Sequence, residues 1–374
     1  MQITITVKIQ ILPDAKQASQ LKDTLSSVKK SLNYVSDIVF STKEFSQPKL
    51  HILTYQILRS DYDLKSQMAQ SVMKTVVAKY KSAKSNKHEF NKVVFKSPEY
   101  DLVWNRDYSL VKGLFSVNTL DGRVKVPFKP DAMEQYFDGS WKFGTAKLVF
   151  KHDKFFLHIP ATKEIDESLV QDVKNVVGVD LGINFTATSY DTSNHTKFYH
   201  GRHIKHKRAK YSKSRKELQQ RQTPSSRKRL RLIGQRENRW MSDVNHQVSK
   251  ALVKSAGKNA LIVLEDLTGI RNETEKVQLK NRYVFVSWSF YQLRLMIDYK
   301  AKLNHSLTIA VDPRYSSQKC PQCGHTEKAN RDKKNHIFTC KNCTYTSKDD
   351  RIAAMNLRNI GIEYVHAELI KQVP

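Results

Sequence analysis

The sequence predicts a multidomain α+β protein: a small N-terminal β-barrel interrupted by a helical lobe, then an α/β domain interrupted by a zinc ribbon. Three observations predict it. An alternating strand opens the chain and needs partners that appear only after about residue 100. Two valine- and leucine-rich runs each end in an acid, Asp180 and Glu265. Two Cys-x-x-Cys pairs sit sixteen residues apart near the C-terminus. A chain of 374 residues is too long for one ordinary core and fits two or three domains.

Residues 3–11 (ITITVKIQI) alternate as a strand, and Leu12-Pro13-Asp14 breaks it and opens a helix. Leu21, Leu25, Val28, Leu32 and Val35 recur at helical spacing. In a second helix Ala69, Val72, Met73, Val76, Val77 and Tyr80 form one apolar stripe, opposite Gln67, Gln70, Ser71 and Lys74. From about 100 to 165 short strands return. Asp121-Gly122 reads as a type I′ hairpin turn, and His152-Asp153 as the centre of a second hairpin. The first strand is expected to join these in the barrel, leaving the helices as an insertion.

Val176, Val177 and Val179 then make a buried strand ending in Asp180, and FTATSYD reads as the next strand. Residues 201–239 hold fifteen Lys or Arg and two Glu, which predicts a basic helical hairpin turning at Pro224. A helix from Met241 to Ala256, the strand ALIVLEDL, a helix around SWSFYQLRLMIDYKAKL and the strand SLTIAVD lead to the cysteines. The helix DDRIAAMNLRNIG follows them.

Charge points to the partner. Lys and Arg number 64 against 36 Asp and Glu, a formal net charge of +28. Such an excess favours a polyanion, because each cation set on a phosphate releases condensed counterions. No run approaches the roughly 18 apolar residues of a membrane span, and the N-terminus lacks a signal peptide's apolar region. All four cysteines lie between Cys320 and Cys343, so a secreted disulfide framework is not expected and a reducing compartment is.

Cys320, Cys323, Cys340 and Cys343 have the spacing of a four-thiolate structural zinc site, with Gly324 suited to the positive φ that follows the first knuckle. Such a site has no open position, so chemistry must come from elsewhere. Asp180 and Glu265 end strands, where α/β folds place their sites, and Asp350 begins a helix whose Ala353 and Ala354 allow close approach to the sheet. Three carboxylates brought together repel, and divalent metal relieves them. Two Mg²⁺ ions there would suit in-line attack on a phosphodiester. Each acid also has a structural reading: a loop turn for Asp180, half of an exposed acidic pair for Glu265, an N-cap for Asp350.

GVDLGI around Asp180, VLEDL around Glu265 and DDRIAAMNL from Asp349 resemble the three RuvC motifs of the transposon-encoded TnpB family. RENRWMSDVNHQVS resembles that family's Arg-x-x-x-Asp-x-x-His helix, here Arg239, Asp243 and His246, and residues 288–324 resemble the approach to its zinc ribbon. The resemblance is specific over about 175–360 and weaker before. It implies an RNA-guided DNA endonuclease, related to compact type V CRISPR effectors, with Asp180, Glu265 and Asp350 as Mg²⁺ ligands and Asp349 and Asp266 as bystanders. Its partners would be a guide RNA encoded beside the gene and target double-stranded DNA cut next to a short motif, in a prokaryotic cytoplasm or nucleoid. It would act as a monomer with RNA, a dimer being left open.

The implied domains are a wedge-like barrel (1–14 and 96–172), a helical recognition lobe (15–95), an RNase H-like RuvC domain (173–312 and 346–374) and the ribbon (313–345). Nucleic-acid contacts are expected from Gln67, Gln70, Ser71 and Lys74, whose other reading is a solvated face. They are also expected from Arg208, Arg215, Arg227, Arg229 and Arg239 in and beside the basic hairpin. Two positions depart from the family pattern: His336 stands where Arg is frequent, four residues before the third cysteine, and Ile352 replaces an Asn in the last motif. Neither removes a metal ligand. A catalytically weak DNA-binding regulator and a DNA transposase are the alternative functions.

Overall fold

The computed structural model describes residues 1–266, 290–312 and 314–371. Leu267, Ser287, Trp288 and Ser289 from the expected strand and helix, and Pro313 at the start of the expected ribbon, lie outside the described residues. The chain divides into two compact units, Met1–Glu164 and Ile165–Pro374.

In the first unit, strand β1 (Gln2–Ile11) buries Ile3, Val7, Ile9 and Ile11 and turns its threonines outward. Asp14 stops it and caps helix α1 (Ala15–Thr42): its carboxylate accepts the Gln17 amide at 2.8 Å while the Gln17 side chain accepts the Asp14 amide, a capping box. Helix α2 (Gln47–Ser60) opens with proline in its first turn. Helix α3 (Ser66–Ser85) buries the whole stripe from Ala69 to Tyr80.

The strands that follow are β2 (Glu99–Leu102), β3 (Tyr108–Val111), β4 (Leu114–Thr119), β5 (Gly122–Val126), β6 (Phe128–Lys129), β7 (Lys142–Phe143), β8 (Ala146–Lys151) and β9 (Lys154–Glu164). As expected, β1 pairs with the later strands, antiparallel to β9 from Gln2↔Glu164 to Ile11↔Phe155. The six-stranded sheet runs β2-β8-β9-β1-β6 with β7 also on β9, and β3-β4-β5 form a sheet of their own. Among the described residues the hydrogen-bonded order is thus an open path. Both hairpins are present, with one correction. Neither Leu120 nor Asp121 has positive φ; Gly122 does, at +125°, so that turn is not type I′. The type I′ pattern belongs to the other hairpin, where His152 (φ 50°) and Asp153 (φ 58°) are both left-handed.

The second unit is built on a five-stranded sheet: β10 (Asn175–Asp180), β11 (Phe185–Tyr190), β12 (Thr196–His200), β13 (Ala260–Glu265) and β14 (Leu307–Val311). Its order is β12-β11-β10-β13-β14. The pairs β12–β11–β10 are antiparallel and β10–β13–β14 parallel. Between β12 and β13 come helices α4 (Arg202–Arg221), α5 (Pro224–Ile233) and α6 (Arg236–Ala256), and α7 (Phe290–Leu303) precedes β14. The basic run turns where expected: Gln222 is left-handed and Thr223 caps α5, with Pro224 in its first turn. A small three-stranded sheet, β15 (Arg331–Asp332), β16 (Ile337–Thr339) and β17 (Thr346–Lys348), precedes helix α8 (Asp349–Lys371).

Both faces of the sheet are covered, so the period of two sorts the residues of β10 and β13. Val177, Val179, Ile262 and Leu264 join the core shared with α6 and α7. Val176, Leu261 and Val263 join Leu357 and Ile362 of α8. Helix α8 lies so close that a Cβ on Gly178 would strike the Ala354 carbonyl and the Arg358 amide. Gly361, which closes the helix in the sequence reading, instead sits within α8. There a Cβ would meet Val263 and Val176, so this glycine serves contact with the sheet and not termination.

Candidate active site and metal centres

Asp180 is in phase with Val176 and Gly178, and Glu265 with Leu261 and Val263. Both acids therefore point to the α8 face. The parallel register sets Val179 opposite Leu264, so the two carboxylates leave adjacent strands side by side. Asp350, in the first turn of α8, meets them: a Cβ on Gly182 would lie 3.7 Å from Asp350 Oδ1 and 4.0 Å from Asp180 Oδ2. The three expected acids are brought together.

Their electrostatics are those of crowded like charges. Burial, then Glu265 and Asp350, hold the Asp180 carboxyl well above its ordinary range. Burial raises Glu265, opposed by a hydrogen bond from Ser316 and by Arg331. Burial and Asp349 raise Asp350, opposed by His336, Arg331 and a hydrogen bond shared with Asp180. An all-oxygen donor set that resists ionisation fits a hard divalent cation.

Around the acids stands a layer invisible in the sequence. Ser316 Oγ donates to Glu265 Oε1 at 2.8 Å. Asn356, one turn after Ile352 on α8, donates to the carbonyls of Ser316 (2.6 Å) and Lys319 (2.8 Å). Ile352 itself is buried with Tyr190, Phe338, Cys320 and Cys340. Asp349, left out of the metal-binding acids, has a structural part: fully buried, it accepts Arg331 Nε at 2.8 Å and the Asp350 amide at 2.9 Å. His336 is half exposed, with Nδ1 3.5 Å from Asp349 and Nε2 2.8 Å from Asn184. The guanidinium beside Asp349 is that of Arg331, which Ser317 Oγ also holds. The available signal was a cation in the ribbon followed by paired acids at the next helix start; only the fold joins them. Asp266 turns outward and accepts Arg294 at 2.8 Å.

The four cysteines converge. Cys320 and Cys343 Sγ are 3.6 Å apart, as are Cys323 and Cys340, and the four sulfurs lie within 4.8 Å of one another. A tetrahedron with 2.3 Å Zn–S bonds has edges of about 3.8 Å. The thiols are unequal: the His325 amide brings Cys323 down to about 6. The Tyr345 amide favours the Cys343 thiolate, yet burial and the three neighbouring thiols push it up to about 12. That is the strain a divalent thiophile removes. Gly324 has φ 76°, as the knuckle requires, and Thr344 takes φ 59° after the second pair.

The expected nucleic-acid residues fare unevenly. Lys74 is exposed, Gln67 accepts Arg106 at 3.3 Å, Gln70 accepts Gln47 at 3.1 Å, and Ser71 is only 5% exposed. Arg208 is a correction: 3% exposed, it donates to Glu237, which is 1% exposed. Arg215 reaches the other oxygen of Glu237 at 2.6 Å. These cations tie α4 to α6. Arg227, Arg229 and Arg239 remain exposed. Asp243 and His246 also lie on the surface of α6. Asp243 accepts Gln247, and His246 meets Tyr299 and, through its carbonyl, Lys300 of α7.

No helix among the described residues is long and apolar enough to cross a membrane. A family model described as "Probable transposase" (OrfB_IS605) matches residues 158–269, and the Cas12f1-like TNB domain matches 290–357. The chain is 28% identical over 282 residues to a CRISPR-associated endodeoxyribonuclease Cas12f1 of Syntrophomonas palmitatica, covering 70% of this chain and 54% of that one. It is 28% identical over 233 residues to the TnpB-like protein MJ0751 of Methanocaldococcus jannaschii, covering 60% and 80%. It therefore spans about half the length of the Cas12f1 relative. In fold it is similar to the protein of a Cas12f1–sgRNA–target DNA complex, with TM-score 0.60, 12% identity, and 96% and 99% of the two chains covered. Over residues 158–357 the chain is thus similar to TnpB-like and Cas12f1 proteins.

Proposed function

We propose that the chain is an RNA-guided endonuclease that cleaves double-stranded DNA beside a short adjacent motif, using a metal-dependent RuvC site. The carrying observation is the convergence of Asp180, Glu265 and Asp350 from two strand ends and a helix start, each held above its ordinary carboxylate range. The sheet order β12-β11-β10-β13-β14, antiparallel then parallel, supports an RNase H-like reading of the nuclease domain, 173–312 and 346–374. The strands of 1–14 and 96–172 would form the wedge and 15–95 the recognition lobe, together holding guide RNA while pairing supplies sequence specificity.

Asp180, Glu265 and Asp350 would hold two Mg²⁺ ions, which when bound supply Lewis-acid activation of water and charge stabilisation at the leaving 3′ oxygen. The chain's own groups fix that set. Ser316 orients Glu265, Asn356 pins the segment carrying Ser316, and Asp349 with Arg331 anchors the helix start that presents Asp350. Cys320, Cys323, Cys340 and Cys343 would hold one structural Zn²⁺ and keep the ribbon (313–345) folded beside the acids. Exposed Arg227, Arg229, Arg239 and Lys74 are the remaining candidates for phosphate contacts.

The test is to purify the protein with co-expressed RNA, sequence that RNA, and incubate the complex with matching plasmid and Mg²⁺. Cleavage that needs the RNA and is abolished by Asp180→Ala is the expected result. Binding without cutting in the wild type would assign a regulator, and RNA-independent strand joining a transposase.

A further inference from the structure

Phe185, Phe198 and His200 form an aromatic group at the edge that the second unit's sheet has among the described residues. β12 is the outer strand there. The Phe185 ring lies 4.9 Å from Phe198 and 5.1 Å from His200. Lys348 Nζ stands 5.1 Å from the Phe198 centroid and 5.7 Å from that of Phe185. The two phenyl rings are half-buried, and His200 and Lys348 are exposed, so solvent reaches the group.

Its position gives it meaning. Asp180 pairs with Thr188 across β10 and β11, so Phe185 lies about 10 Å along the strand from the carboxylates, roughly three stacked base steps. Lys348 ends the strand immediately before Asp349 and Asp350. Gly182, whose amide donates to the Phe185 carbonyl at 3.1 Å, is the residue whose Cβ would face Asp180 and Asp350. The aromatic group and the acids therefore share both flanking chain segments.

Two rings on neighbouring antiparallel strands are commonly a packing pair. Here a lysine reaches both rings, and the group borders acids that a phosphodiester must approach. Aromatic faces stack on any base, and a nearby cation suits the backbone phosphate. The net charge of +28 favours a polyanionic occupant over a protein. We propose that Phe185, Phe198, His200 and Lys348 form a stacking ledge for a nucleobase of the single DNA strand entering the carboxylate site. This rests on the nuclease reading and adds a base-binding subsite without sequence preference.

The experiment uses full-length protein purified with its RNA and zinc, carrying Asp180→Ala so that DNA is not cut. Single-stranded oligonucleotides unrelated to the guide carry 2-aminopurine stepped one position at a time, since stacking quenches its fluorescence. Quenching at one or two adjacent positions is expected. Phe198→Ala should abolish it and weaken binding roughly 5- to 150-fold, and Phe198→Trp should restore both. Lys348→Gln should keep the quench but reduce the slope of log affinity against log salt by about one. Absence of a position-dependent quench overturns the ledge. So does a Phe198→Ala protein that melts lower yet quenches and binds as before, which would assign the rings to packing. A wild type that stacks DNA but never cuts would remove the nuclease reading and leave the ledge standing; one that cuts without stacking would remove only the ledge.

Discussion

Arg331 donates its Nε to Oδ2 of Asp349 at 2.8 Å, and Oδ1 of the same carboxylate accepts the Asp350 amide at 2.9 Å. One buried acid thus joins the four-cysteine ribbon to the helix start that presents the last acid of the site. Arg331 is further held by Ser317 Oγ at 3.1 Å, so both ends of the link are fixed. The sequence reading set Asp349 aside as a neighbour. Its burial makes it the hinge pin of the site.

Arg331→Ala should destabilise the protein by about 2–3 kcal/mol, somewhat below the loss typical of breaking a fully buried pair, because Arg331 is partly exposed. Arg331→Lys keeps the charge but not the fork of donors, and should recover only part of the loss. Urea denaturation of the zinc-loaded proteins measures both. Unchanged midpoints would mean that Asp349 finds another partner and that the link carries no stability.

The acids make metal-free stability depend on pH. Asp180, Glu265 and Asp350 bind protons more tightly folded than unfolded, because burial raises all three, the charges of Glu265 and Asp350 add to it at Asp180, and Asp349 adds to it at Asp350. Above the unfolded carboxylate range the folded state then holds more protons, so stability falls as pH rises through the raised folded values. Asp180→Asn removes the most crowded charge. It should raise the melting temperature without divalent metal at pH 8 and change little at pH 4. Mg²⁺ should raise that of the wild type at pH 8 and scarcely affect the variant. A melting curve for Asp180→Asn that lies below wild type at pH 8 contradicts the repulsion.

Much of the site was legible because apolar runs and strand ends are local. Val176 through Asp180 and Leu261 through Glu265 read as buried strands because each is a short continuous apolar run ending in an acid, and the cysteine spacing needs no fold to be read. What escaped was tertiary. Arg208 looks like one more phosphate-seeking cation until the hairpin closes and sets Glu237 against it. Gly361 looks like a helix stop until Val176 and Val263 are seen beneath it. The Arg331–Asp349 contact joins a ribbon strand to a helix, and no periodicity announces it.

Metal removal should act through the same link. Cys320 and Cys340 share a core with Ile352, Ala354 and Met355 of α8, so loss of zinc would loosen the helix that carries Asp350 as well as the ribbon. Cys340→Ser should lower bound zinc from about one equivalent per chain, the content of a four-thiolate site, and lower the melting temperature. Zinc released by a thiol-modifying reagent, followed with a chromogenic chelator, gives the stoichiometry. A variant with full zinc would exclude Cys340 as a ligand.

Asn356 offers the sharpest separation of positioning from binding. Its amide holds the Ser316 and Lys319 carbonyls, and Ser316 in turn holds Glu265. It is 5% exposed and lies one helical turn beyond Ile352, so the ordering amide that Ile352 lacks is supplied from the next turn of α8. Asn356→Leu keeps similar bulk but leaves two buried carbonyls without that donor, at about 1–3 kcal/mol each if nothing replaces it. The freed segment would let Glu265 leave the geometry it shares with Asp180, so kcat should fall by at least tenfold while DNA affinity stays within about twofold. Ser316→Ala removes only the last link and should give a smaller fall of the same kind. Should Asn356→Leu weaken DNA binding and leave kcat intact, the Ser316–Glu265 contact would not position the site, and Asn356 would serve the nucleic-acid surface instead.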